Sequence, residues 1–211
     1  MSFLKKIFNT GERSKTKPEW DSIGTTIEKF ELPYLHPDHH DYPAWAGGDR
    51  YLNLMKTNWG NWIVYTNGLH NIASGALYEI YIETDEAVED FGSSWQANII
   101  YAIGRLIPKV NDLSKRIAQH QYLSVQIEME GAPDDWSLKN ETDNITLFMG
   151  LEDPKIKIAD FSFTPLNIKL MRPKEAEYAK ANGDPARQDL AKLYIKQGDA
   201  TVTSMIRESV I

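Results

Sequence analysis

Leu123-Ser124-Val125-Gln126-Ile127-Glu128-Met129-Glu130 alternates apolar and polar side chains without a break. Period two belongs to a strand, so Leu123, Val125, Ile127 and Met129 share one face and Ser124, Gln126, Glu128 and Glu130 the other. One face is therefore core, and the other meets water or a partner. The chain before this strand supplies helices that can cover the core face. Val110, Leu113 and Ile117 make one apolar stripe, and Trp95, Ile99, Ile103 and Leu106 make another. Ser93 and Gln96 have the spacing of a capping box at the start of the first helix, and Pro108 ends it and opens the second.

Further strands lie on both sides of this unit. Leu77–Thr84 places Tyr78, Ile80 and Ile82 on one face and Glu79, Tyr81 and Glu83 on the other. Trp62–Thr66 is a strand closed by Asn67-Gly68, a pair suited to the positive φ of a tight turn. Ile145, Leu147, Met149 and Leu151 repeat with period two, and weaker strands are expected near Ile156–Phe163 and Leu166–Leu170. Pro173 opens a helix to Ala181, Asn182-Gly183 closes it, and Asp184-Pro185 caps and starts the next, with Leu190, Leu193 and Tyr194 facing the core. Residues 198–211 have no clear period and read as a tail. Residues 31–60, with Pro33, Pro37, Pro43, Gly47, Gly48 and Gly60, read as loop-rich. The expected fold is α+β: a mixed, mainly antiparallel sheet with helices packed on one face. Residues 1–18 read as a mobile basic arm and 19–211 as one domain.

Composition narrows the chemistry. The 211 residues include no cysteine, which removes disulfides, thiolate nucleophiles and thiolate–zinc sites. No apolar run approaches the ~20 residues of a membrane helix. The opening residues lack the uninterrupted apolar stretch of a secretory signal, so a cytoplasmic protein with no membrane partner is expected. Net charge is −7. Residues 1–17 carry Lys5, Lys6, Arg13, Lys15 and Lys17 against Glu12, a net of +4 that leaves −11 for the rest. An acidic body argues against nucleic acid and suits a basic protein partner.

Candidate chemistry is sparse. His36-Pro37-Asp38-His39-His40-Asp41 gathers metal-ligand types, but a proline-containing loop does not aim them as a helical i, i+4 pair would. No metal and no cofactor is expected, nor a catalytic residue: there is no Gly-x-Ser-x-Gly elbow and no phosphate or dinucleotide fingerprint. Glu128 and Glu130 are the nearest thing to paired carboxylates, and solvation explains them. Two acidic runs stand out instead. Glu83, Asp85, Glu86, Glu89 and Asp90 follow one strand, and Glu128, Glu130, Asp134 and Asp135 end another. If the two strands run in the same direction, both runs share one edge of the sheet and can steer a basic partner.

Trp62-Ile63-Val64-Tyr65-Thr66-Asn67-Gly68-Leu69, followed by Gly75-Ala76-Leu77-Tyr78-Glu79-Ile80-Tyr81-Ile82-Glu83-Thr84, resembles the suppressor-of-fused family. Thr66, Gly68, Leu69 and Glu79 match the family pattern around Asn67. Trp95 sits where the family opens a helix with Trp, and Ser204–Ile211 is similar to the tails of some bacterial members. His70 departs from the family's usual serine. The resemblance implies a protein-binding module, and for a bacterial single-domain member an immunity protein that neutralises a toxin domain. Two other functions compete with it. One is a hydrolase or metal-dependent enzyme using His36, His39 and His40, and the other is a scaffold subunit presenting Trp45, Trp59 and Trp62.

Overall fold

The computed structural model describes residues 20–32, 51–70, 78–107, 112–129, 136, 144–157, 162–198 and 200–211. Among the described residues seven strands form one mixed sheet: β1 (Gly24–Glu31), β2 (Tyr51–Thr57), β3 (Trp62–Thr66), β4 (Tyr78–Thr84), β5 (Leu123–Glu128), β6 (Asn144–Met149) and β7 (Thr164–Leu170). Their spatial order is β1-β2-β3-β4-β7-β6-β5. Every neighbouring pair is antiparallel except β4 and β7, which run parallel in register Tyr78↔Thr164 to Tyr81↔Asn167. Among the described residues three α-helices pack on the sheet: α1 (Trp95–Leu106), α2 (Leu113–His120) and α3 (Pro173–Gln197). The fold is α+β.

The principal core joins α1 to the face carrying Leu52, Leu54, Val64, Ile80, Ile82, Ile145, Leu147, Leu166 and Ile168. Leu123, Val125, Ile127 and Met129 all pack into this core, so the facing read from the β5 alternation holds. The opposite face carries two further clusters. Trp20, Met55, Ile63, Tyr65, Tyr81, Ile156 and Phe163 form one. Phe148 with Ala176, Ala179, Leu190, Ala191 and Tyr194 forms the other, beneath α3. The helices therefore divide: α1 and α2 cover the expected face, and α3 covers the other. Phe148 between Leu147 and Met149 is the physical cause, because it makes β6 apolar on both faces.

Several local expectations are corrected. Tyr51–Thr57, read as part of a loop-rich stretch, is an inner strand; Leu52, Asn53, Leu54 and Met55 are all buried, so no alternation marks it. β4 is buried at all seven positions, Glu79 and Glu83 included, because strands flank it and clusters cover both sides. Ile156 and Lys157 lie outside any strand, in and after a turn, as do Ser162 and Phe163. The N-cap of α1 is Ser94, whose hydroxyl accepts from the Ala97 N–H at 3.2 Å, while Ser93 ends a preceding 3₁₀ turn, so the cap falls one residue later than expected. In α3 the helical path breaks at Gly183 (φ 62°, ψ −136°), where the sequence places a stop and a restart.

Candidate functional site

The acidic runs follow the C-terminal ends of β4 and β5. β7 is parallel to β4, β6 antiparallel to β7, and β5 antiparallel to β6, so β5 runs in the direction of β4. The acidic residues that follow β4 and Glu128 at the end of β5 thus leave the sheet at the same edge. Asp85, Glu89, Asp90 and Glu128 are exposed. Glu86 is half-buried and accepts the Met205 N–H at 3.0 Å. Glu83 is fully buried and belongs to the interior rather than to a docking edge. Glu130, Asp134 and Asp135 lie outside the described residues, as do His36, His39, His40, Trp45 and the basic arm.

Glu79 explains the motif around Asn67. Its carboxylate is fully buried and meets four donors: the Thr66 hydroxyl at 2.5 Å, the Gly68 N–H at 2.7 Å, the His70 N–H at 3.1 Å and His70 Nδ1 at 2.5 Å. Gly68 reaches its place through φ 94°, a conformation that favours glycine. Leu69 is buried in the principal core. Thr66, Gly68, Leu69 and Glu79 thus tie the end of β3 to β4, and His70 contributes two of the four donors.

Glu83 heads a second polar cluster, drawn from four separate segments. Oε1 accepts Trp59 Nε1 and Asn61 Nδ2, each at 2.7 Å, and Lys155 Nζ lies 3.8 Å away. The Thr201 hydroxyl lies 2.8 Å from Glu83 Oε2 and 3.3 Å from Asp153 Oδ2. Asp153 is buried, and burial together with the Glu83 charge pushes its carboxyl up to about 6, against the pull of the Lys155 N–H and ammonium. Tyr81, buried beside both carboxyls, has its phenol pushed well above the ordinary range, first by burial and then by those charges. Asp153, Lys155 and Thr201 line a cavity of about 680 Å³, with Tyr122, Leu151 and Ile195 among its other walls. No spacing in the sequence brings 59–61, 83, 153–155 and 201 together, so this cluster was not legible there.

The C-terminal segment is built into the sheet rather than trailing from it. Val202 bridges to Glu83 in parallel, Thr203 N–H donates to the Glu83 carbonyl at 2.8 Å, and Lys169 Nζ donates to the Val202 carbonyl. Further along, Arg207 pairs with Glu175 through Nη1 at 2.6 Å and Nη2 at 2.7 Å. Burial alone would raise the Glu175 carboxyl, but the hydrogen bonds and charge of Arg207 bring it below the ordinary range. Arg172 donates to the Met205 carbonyl at 2.8 Å and stacks over Trp136 at 4.1 Å.

Among the described residues no group of three or more histidine, aspartate or glutamate side chains could hold a metal ion, and no helix is long and apolar enough to cross a membrane. No family model and no curated protein matches the chain.

Proposed function

We propose that this chain is a protein-binding module of the immunity type, related to the suppressor-of-fused family, which neutralises a basic toxin domain through its acidic sheet edge. The observation that carries this reading is the common direction of β4 and β5, which brings Asp85, Glu89, Asp90 and Glu128 to one edge while leaving them exposed. The −11 charge of residues 18–211 gives such an edge a long-range field for a cationic partner. The motif residues Thr66, Asn67, Gly68, Leu69 and Glu79 do not take part in contact. They fix the β3–β4 connection, and partner choice falls to the surface. A cytoplasmic location accords with a chain that needs no disulfide. The test is co-expression with a basic toxin domain encoded beside the gene. Survival of the host and a stable complex on gel filtration are expected. An inhibited host and two separately eluting proteins would overturn the reading.

One observation favours a second reading, a hydrolase. Glu83 and Asp153 share an environment that pushes the Asp153 carboxyl toward neutrality beside a cavity, an arrangement suited to general acid work. Glu83 is held from all sides, and only Asp153 borders the cavity. Turnover of a small ester or glycoside panel that Asp153→Asn abolishes would favour this reading over binding.

A further inference from the structure

β4 and β7 pair in parallel only as far as Tyr81↔Asn167. Beyond that point the C-terminal segment enters the fork between them. Thr203 N–H donates to the Glu83 carbonyl of β4, the Leu170 N–H of β7 donates to the Thr203 hydroxyl at 3.3 Å, and Asn167 Nδ2 donates to the Thr201 carbonyl at 3.1 Å. Gly198, with φ 104°, precedes the segment. Two clamps hold it. The distal clamp is Arg207 on Glu175, joined by the Val210 N–H on Glu175 Oε1 at 2.9 Å. The proximal clamp is the Thr201 hydroxyl between the carboxyls of Glu83 and Asp153.

The proximal clamp has a proton deficit. A hydroxyl carries one proton, and the shorter contact gives that proton to Glu83. The contact to Asp153 is then short of a proton until Asp153 is itself protonated and donates to the Thr201 oxygen or to the Glu83 carboxylate beside it. Once Asp153 ionises, two carboxylates and a hydroxyl oxygen face one another in a buried site. We propose that Asp153, Thr201 and Glu83 form a pH-sensitive latch that holds residues 200–204 in the β4–β7 fork more tightly in mild acid and lets them open more often at neutral pH. Release removes Thr201 from the wall of the 680 Å³ cavity and opens it.

The charged and titratable groups around Asp153 are Glu83 and Tyr81 from β4, Glu152 and Lys155 from its own loop, and Tyr122, which lines the same cavity. Lys155 lies nearest Glu83, at 3.8 Å, and is one-third exposed, so it does not fully balance a second carboxylate. The sign follows from linkage. A carboxyl whose folded-state value lies above its unfolded one stabilises the closed form below the unfolded value and loses that contribution as pH rises through about 6. The distal clamp has the opposite sign: a lowered Glu175 contributes above the ordinary carboxylate range and fails only in stronger acid.

Hydrogen exchange of single amides tests the latch, with protection corrected for the intrinsic pH dependence of exchange. In wild type the opening equilibrium of the Thr203 amide is expected to rise about tenfold between pH 5 and pH 8. The Val210 amide, held by Glu175, stays constant over the same range. In Asp153→Asn the Thr203 amide becomes independent of pH. Thr203 protection constant within about twofold in wild type, or an unchanged slope in Asp153→Asn, would overturn the latch. So would a Val210 amide that loosens in parallel with Thr203, because the opening would then be global. The comparison of the two wild-type amides needs no variant and stands even if Asp153→Asn does not fold.

Discussion

Glu79 and Glu128 are both strand glutamates, and the structure gives them opposite weights. Glu79 is buried among four donors, whereas Glu128 is exposed at the end of an edge strand. Glu79→Gln keeps the shape but turns an amide N–H₂ toward groups that are themselves donors. It is expected to cost about 1.5–3 kcal/mol in urea unfolding, the range for losing hydrogen bonds to a charged group. Glu128→Gln is expected to change stability by less than about 0.5 kcal/mol. Ile127, one position away and 7% exposed, points into the principal core. Ile127→Asp forfeits about 1.5–3 kcal/mol of apolar burial and adds the cost of a buried charge, so it should fail to fold or unfold at much lower urea. Equal losses at 127 and 128 would contradict the facing of β5.

At the scale of elements, legibility tracked solvent. β5 has one wet face, so its alternation showed both its existence and its facing. β2 is buried at Leu52, Asn53, Leu54 and Met55, and nothing in that run distinguishes strand from loop without knowledge of its neighbours. α3 was readable down to its break, because Asn182-Gly183-Asp184-Pro185 is local stop-and-start chemistry. Which face it would cover was not readable, since that depends on Phe148, a single residue on another element. The C-terminal segment was hardest, because its order comes from partners at 83, 86, 167, 169, 172 and 175 rather than from any period of its own. Its weight can be measured. Arg207→Met leaves the Glu175 carboxylate buried without its cation, and breaking a buried pair in this way costs roughly 3–5 kcal/mol. Denaturant unfolding at pH 7 should show a loss of that size. A loss below about 1 kcal/mol would mean that the segment is not clamped there.

For the whole molecule, the topology decides which of the sequence's acids can act together. The strand order and the single parallel pair set β4 and β5 in one direction, with β7 and β6 between them. Strands are spaced about 4.8 Å apart, and at this end the C-terminal segment lies between β4 and β7 as a further spacing, so the two acidic ends lie roughly 19 Å from each other along one edge, within the footprint of a single protein partner. Glu83, which the sequence grouped with this edge, instead anchors the interior. The surface that remains is Asp85, Glu89, Asp90 and Glu128, with Glu86 tied to the C-terminal segment. Exposed charges of this kind act on encounter rather than on dissociation, and salt screens them over ~8 Å at physiological strength. The decisive measurement is the association rate with the proposed partner, a basic toxin domain, as a function of salt, for wild type and for Asp85→Asn/Glu89→Gln/Asp90→Asn/Glu128→Gln. Wild-type association is expected to slow steeply with salt, and the correctly folded variant to bind about tenfold more slowly at low salt with a flatter dependence. A variant that associates at the wild-type rate at every salt concentration would contradict docking at this edge.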